Sequence, residues 1–105
     1  MGFKLIIKSV VWLDLDEAIE WYEKESPGLG KRFIKKFEEA KEKILKQPTA
    51  YGNVTPAVKR ILLKSFPYKI FYHLSADTIF IIGLAHTKRS KAFIRRKLKT
   101  SKAEK

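Results

Sequence analysis

The chain has 105 residues, with 23 Lys and Arg against 11 Asp and Glu for a formal net charge of +12, 45% hydrophobic content, two His and no Cys. That length supports one domain with a single core, since a chain of this size buries roughly two-thirds of its unfolded surface without disulfides or a structural metal. The missing Cys excludes thiol nucleophiles, disulfide frameworks, thiolate zinc sites and iron–sulfur clusters, and no run reaches the roughly 20 apolar residues of a membrane helix or the apolar core of a signal peptide. A cytoplasmic protein with no membrane partner is therefore expected.

Residues 3–8 are short, apolar and β-prone through Leu5, Ile6 and Ile7, which predicts a first strand. From about Val11 the period changes: Leu15, Ala18, Ile19 and Tyr22 share one helical face, with Asp16, Glu17, Glu20 and Glu23 largely elsewhere. Asp14 with Glu17 three residues on fits a capping box, with residues 10–13 as an alternative first turn, and the helix stops at Ser26, Pro27 and Gly28. Ser26 suits the N-cap of a second helix with Pro27 at its first position, and Leu29, Phe33, Phe37, Ala40 and Ile44 mark its buried stripe up to Pro48. Two helices joined so tightly form an antiparallel hairpin.

After a loop over residues 49–56 come three β-rich runs, 58–65, 68–74 and 78–85, whose short links predict an antiparallel meander. The last two runs are apolar on both faces, so they are expected to be central, with the hairpin over one face and the other face partly covered or serving as a site. Residues 90–98 suggest a short basic helix with Phe93, Ile94 and Leu98 facing inward. The fold class predicted is thus α+β: an N-terminal strand, an antiparallel helix hairpin, a three-strand antiparallel meander and a short basic C-terminal segment. The domain spans residues 1–98, and residues 99–105 are expected to be a disordered basic tail.

The positive charge is local. Residues 1–9 carry +2, residues 10–49 carry −1, and residues 50–105 carry +11, with Asp77 and Glu104 as the only carboxylates in that second half. Such a field attracts phosphates or an acidic protein segment over about a Debye length. Lys59, Arg60, Lys64, Lys69, Lys88 and Arg89, embedded among the predicted strands, are the candidates for a binding surface, whereas the Lys-rich end also fits a solvated tail.

Paired-carboxylate chemistry finds little support, because nine of the 11 acids lie on the predicted helices with solvent-facing spacing. His73 and His86 with Asp77 are too few ligands for a metal site, and Gly28 and Gly30 lack the remainder of any nucleotide-binding fingerprint; no cofactor or metal is expected. What remains is Arg60, Tyr68, Tyr72, His86 and Arg89, drawn from three adjacent strands and the segment beyond the last. Such a set suits a phosphodiester: arginines neutralise phosphate charge, a His moves a proton, and tyrosines stack on bases or offer a hydroxyl. The competing reading makes His86 a strand-end ring bonded to the backbone and Tyr68 and Tyr72 packing residues.

Several separated motifs, in order, resemble the ParE/RelE superfamily of toxins from type II toxin–antitoxin modules, also labelled plasmid stabilisation proteins. They are the run from Asp16 to Glu23, then Pro27-Gly28-Leu29-Gly30-Lys31-Arg32-Phe33, Ile44 with Pro48, Lys59-Arg60, the run from Phe66 to Tyr72, and His86-Thr87-Lys88-Arg89. The Trp-Tyr-Glu, Pro-Gly-Leu-Gly and Phe-Pro-Tyr signatures are more similar to the ParE branch, whose studied members poison DNA gyrase, than to the RelE branch, whose members cut mRNA on the ribosome. The resemblance implies a cytoplasmic toxin that arrests growth, a cognate antitoxin, and either gyrase or ribosome-bound mRNA as target. In the second case it implies a metal-independent endoribonuclease in which Arg60 matches the family's strand arginine and His86 and Arg89 its His-x-x-Arg ending. Lys59, Lys64, Tyr68, Lys69, Tyr72 and Lys88 would then surround the bound nucleic acid or target. The chain departs from efficient RNase members in showing one well-placed His and no carboxylate beside these residues.

Overall fold

The computed structural model describes the backbone of residues 2–103. In chain order it contains β1 (Lys4–Ile7), α1 (Ser9–Glu25), α2 (Leu29–Lys46), β2 (Asn53–Thr55), β3 (Val58–Leu62), β4 (Tyr68–Ser75), β5 (Thr78–His86) and α3 (Lys91–Ala103). The strands make one five-stranded sheet in the order β1-β5-β4-β3-β2. The α1–α2 hairpin carries the chain from one sheet edge to the other, so β1 lies parallel to β5 while the remaining pairs are antiparallel. This is the α+β architecture expected from the sequence, with one addition: the 49–56 loop contains β2, a three-residue edge strand too short to show periodicity.

The hairpin covers one face of the sheet. Val11, Leu15 and Ala18 of α1 and Phe33, Phe37, Ala40 and Ile44 of α2 pack on Ile61, Ile70, Tyr72, Ile79, Ile81 and Leu84. Each fully buried side chain of this size contributes about 1.5–3 kcal/mol, which makes this the principal core. A smaller core of Val58, Phe71, Ile82 and Ala85 occupies the other face beneath Leu98 of α3.

A bulge couples the two cores. Phe71 pairs with Gly83 but Tyr72 pairs with Ile81, leaving Ile82 as an extra residue in β5. The phase of the strand shifts there, so that Ile82 packs in the smaller core and Leu84 returns to the larger one. Gly83 permits the close approach of α3, because a Cβ at that position would lie 3.3 Å from Leu98 Cδ2 and 3.5 Å from Phe71 Cδ2.

The helix boundaries differ from the sequence reading for identifiable reasons. Helix α1 starts at Ser9 after Lys8, which offers no side-chain cap, and Asp14 lies within the helix instead of capping it. Ser26 is the C-cap of α1 and not the N-cap of α2. The cap of α2 is Gly28, whose φ of 93° a glycine tolerates without strain. The orphan N–H groups are taken by Glu23, whose carboxylate accepts Gly28 N–H at 3.1–3.2 Å and Gly30 N–H at 2.9 Å. Those bonds to the charged form hold the Glu23 carboxyl below its ordinary value. Helix α3 continues beyond Leu98, where the sequence reading ended it. Within the 99–105 segment the backbone is helical to Ala103, and residues 104–105, which the expected disordered tail includes, lie outside the described residues.

The Glu23 clamp makes a pH-dependent prediction. A carboxyl whose pKa is depressed on folding stabilises the native state above its unfolded value, and that contribution is lost as pH falls through the folded value. Glu23→Gln is expected to melt at a lower temperature than the parent at pH 7, and the gap should close below about pH 4. Thermal melts of both proteins from pH 3 to pH 7 check this, and a gap that does not change with pH would exclude the clamp.

Candidate functional site

Strand β1 pairs with β5 only as far as Ile81. Beyond that point no strand among the described residues covers the β5 edge, and α1 and α3 contribute the walls around its end, leaving a cleft of about 600 Å³. Leu84, Ala85 and His86 form its floor; Asp14, Glu17 and Trp21 enter from α1, and Phe93 and Lys97 from α3. Tyr68, Lys88 and Arg89 complete the lining.

His86 ends β5 opposite Tyr68. The two rings meet edge to face with centroids 5.3 Å apart, and Tyr68 continues the aromatic stack onto Phe33 at 5.0 Å and Tyr22 at 6.1 Å. Burial raises the Tyr68 phenol above its ordinary pKa. The Nδ1 of His86 accepts the Lys88 backbone N–H at 3.0 Å, which puts the proton of the neutral ring on Nε2. The ring therefore presents a donor rather than a base. The Arg89 guanidinium lies 4.5 Å from the centre of the Phe93 ring, and Lys97 Nζ lies 5.6 Å from the same ring.

The clasp between the cleft walls is an ion pair. Lys97 Nζ donates to Asp14 Oδ1 at 2.6 Å, with side-chain exposures of 17% and 14%. The other oxygen, Oδ2, is buried without a hydrogen bond of normal geometry, although the Leu84 N–H lies near enough to favour the charged form slightly. Burial, the largest influence, together with the Glu17 charge outweighs Lys97 and Leu84 and holds the Asp14 carboxyl above its ordinary value.

The structure brings together Tyr68, His86, Lys88 and Arg89 from the sequence-derived set. It does not bring Arg60 to them. Arg60 pairs with Phe71, three positions along β4 from Tyr68 and one strand further from His86, a displacement of about 10 Å along the strands and about 10 Å across them. Its side chain lines a separate depression of about 460 Å³ with Lys43, Tyr51 and Gly52. Lys59 is occupied in the fold, donating to the Tyr51 carbonyl at 3.2 Å and to Asn53 Oδ1 at 2.9 Å. Lys64 is exposed in the β3–β4 turn, and Lys69 sits opposite Ala85, whose side chain packs in the smaller core. Tyr72 is fully buried, and its hydroxyl donates to the Pro48 carbonyl at 2.6 Å. Burial, with a smaller contribution from Tyr51, pushes that phenol up to about 12. It is a core residue, as the packing alternative has it.

Sequence reasoning missed Asp14, Glu17, Trp21, Phe93 and Lys97, and with them the carboxylates thought to be lacking. A signal existed: Val10, Asp14, Glu17 and Trp21 recur at helical spacing as a second stripe of α1, mixing acids with an aromatic. Among the described residues no group of three or more His, Asp or Glu side chains is placed to hold a metal ion.

A sheet backed by a helix hairpin, with a cleft of cations, aromatics and two carboxylates at the end of its last strand, defines a small basic α+β binding domain. The family model of the ParE toxin of the type II toxin–antitoxin system parDE matches residues 6–91, and the chain belongs to that family. Among solved structures the fold is similar to a chain of the chromosomal ParDE toxin–antitoxin system of P. aeruginosa, with a TM-score of 0.73 at 16% identity over 82% of this chain and 97% of that one. It is also similar to the isolated E. coli RelE toxin, with a TM-score of 0.53 at 15% identity over 90% of this chain and 94% of that one. A mutant of E. coli RelE in the free state gives a TM-score of 0.54 at 15% identity over 91% and 98%. No curated protein sequence matches the chain. The protein is therefore a toxin of the ParE family of type II toxin–antitoxin systems, and that family implies a cognate antitoxin.

Two substitutions test the assignments. Tyr72→Phe leaves a buried carbonyl unpaired and is expected to cost about 1–2 kcal/mol in chemical denaturation while leaving toxicity intact; loss of toxicity in a folded variant would return Tyr72 to the site. Lys97→Met strands the buried Asp14 carboxylate and is expected to cost about 3 kcal/mol at pH 7. Because protonation relieves an acid whose pKa is raised on folding, that deficit should shrink as pH falls through the carboxylate range. Denaturation of Lys97→Met at pH 7 and pH 4 measures it, and a deficit that grows on acidification contradicts the assignment.

Proposed function

We propose that the protein acts in the cytoplasm as a ParE-like, non-catalytic inhibitor of DNA gyrase that arrests growth until a cognate antitoxin neutralises it. The observation that carries this reading is the composition of the cleft. Asp14 and Glu17 face Lys88, Arg89 and Lys97, and Asp14 is held by Lys97, so the cleft presents both signs of charge to an incoming partner. Arg60 lines a different depression, and the His86 tautomer offers no base at Nδ1. Mixed charge beside exposed Trp21 instead suits a protein segment carrying both apolar and charged side chains, which fits an antitoxin or a target protein.

The alternative is a RelE-like, metal-independent endoribonuclease acting on ribosome-bound mRNA, and the juxtaposition of Tyr68, His86 and Arg89 favours it. There His86 would move the proton and Arg89 would stabilise phosphate charge; the expected third member, Arg60, lies in the other depression. Neither reading calls for a cofactor.

Purified protein at micromolar concentration is expected to inhibit gyrase supercoiling or trap cleavage complexes, and induction in cells should give DNA breaks and an SOS response. His86→Ala should retain inhibition within a few-fold. Intact supercoiling together with cleaved translated messages, abolished by His86→Ala, would replace this reading with the ribonuclease.

A further inference from the structure

The outer face of α3 takes no part in the cleft, and its charge pattern is distinct. The helix sequence holds six Lys and Arg and no acid. Lys97 turns to Asp14, and Ile94 and Leu98 pack on the smaller core. Lys91, Arg95 and Lys99 recur every four residues, a step of about 6 Å along the axis, and all three are exposed. None of the three has a hydrogen-bond or ion-pair partner among the described residues. Asp77 is the one carboxylate between residues 50 and 103.

The chemistry of the stripe selects its partner. A lipid surface would need apolar side chains beside the cations, yet the exposed large hydrophobics, such as Leu13, Trp21 and Leu62, all lie outside α3. Single-stranded nucleic acid would need aromatic platforms for its bases, but the exposed Trp12 and Trp21 sit on α1, which carries six acids against one Lys. A second copy of the chain is disfavoured by the repulsion between two +12 molecules. Evenly spaced, unpaired cations with no base-reading side chains match the phosphate lattice of a duplex.

We infer that the outer stripe of α3, Lys91, Arg95 and Lys99, binds the phosphate backbone of duplex DNA without sequence preference. This does not depend on the gyrase reading, because the contact requires no enzyme. About three phosphate contacts give a slope of roughly −2.7 in log affinity against log salt, so a fourfold rise in salt weakens binding by about 40-fold.

The test is fluorescence anisotropy of the full chain on labelled 20-base-pair DNA duplexes of unrelated sequence. Lys91→Gln/Arg95→Gln/Lys99→Gln is compared with Lys31→Gln/Lys35→Gln/Lys46→Gln on α2, which removes equal charge elsewhere. The first variant is expected to lose most of that slope, so that the same salt change leaves its residual binding nearly unchanged. The α2 variant should keep the parental slope, with circular dichroism showing both to be folded. Equal losses in the two variants would reduce the effect to net charge and overturn the site. Absence of duplex binding at low salt, or tighter binding to single strands or to phosphatidylserine-containing vesicles, would overturn the choice of partner.

Discussion

Strands β4 and β5 are apolar on both faces, and most of the architecture follows from having to cover each of them. Ile70, Tyr72, Ile79 and Ile81 face the helix hairpin, while Phe71 and Ile82 face away from it. A sheet with one bare apolar face would expose a patch that soluble proteins rarely tolerate. The hairpin covers the first face and α3 the second, and the bulge at Ile82 adjusts the strand so that Leu84 and Gly83 suit their respective layers. The cleft arises because β1 stops pairing at Ile81, which leaves the end of β5 to be closed by helices rather than by a strand.

That origin accounts for the cleft's mixed chemistry. The two walls come from the most acidic and the most basic helices in the molecule, so carboxylates and cations meet across the gap. Asp14 and Lys97 bond directly, while burial and the nearby Glu17 charge hold the Asp14 carboxyl above its ordinary value. The clasp joins residues 83 apart in sequence and sets where α3 lies relative to α1, a specificity that two apolar side chains would provide less sharply. Beyond the pair, Glu17 faces Lys88 and Arg89 across open cleft, which leaves both signs accessible to an incoming segment.

The parts legible in the sequence were those written as periodicity. The stripe of Phe33, Phe37, Ala40 and Ile44, the central position of the two doubly apolar strands, and the inward set of α3 all depend on a repeat within one element. Ser26 misled because its side chain suits a cap, while the actual cap depends on a carboxylate one turn back, Glu23, reaching over Gly28. Tyr72 misled because alternation cannot say whether a tyrosine hydroxyl meets solvent or, as here, a carbonyl 24 residues away. Arg60 was grouped with His86 because neighbouring strands bring residues close only when their registers agree, and register is a pairing property that no single strand encodes. Asp14 was hidden for the opposite reason, its partner being in another helix at the far end of the chain.

Helix α3 links the cleft to the outer basic stripe, because one rigid element supplies both. Taken alone, its sequence would hold a helix poorly: it has 13 residues, no acid to form i,i+4 pairs, and six like charges. Its order therefore comes from docking, through Leu98 against Gly83 and Phe71 and through Lys97 on Asp14. A ligand that fills the cleft while sparing the clasp leaves the stripe in place, whereas one that takes Asp14 from Lys97 loosens the element that aligns Lys91, Arg95 and Lys99. By linkage, a duplex bound to that stripe stabilises the docked helix by the same free energy, and so opposes any cleft ligand that must displace it. The two surfaces can therefore be coupled without touching, through the docking equilibrium of a helix that neither surface could hold in place alone.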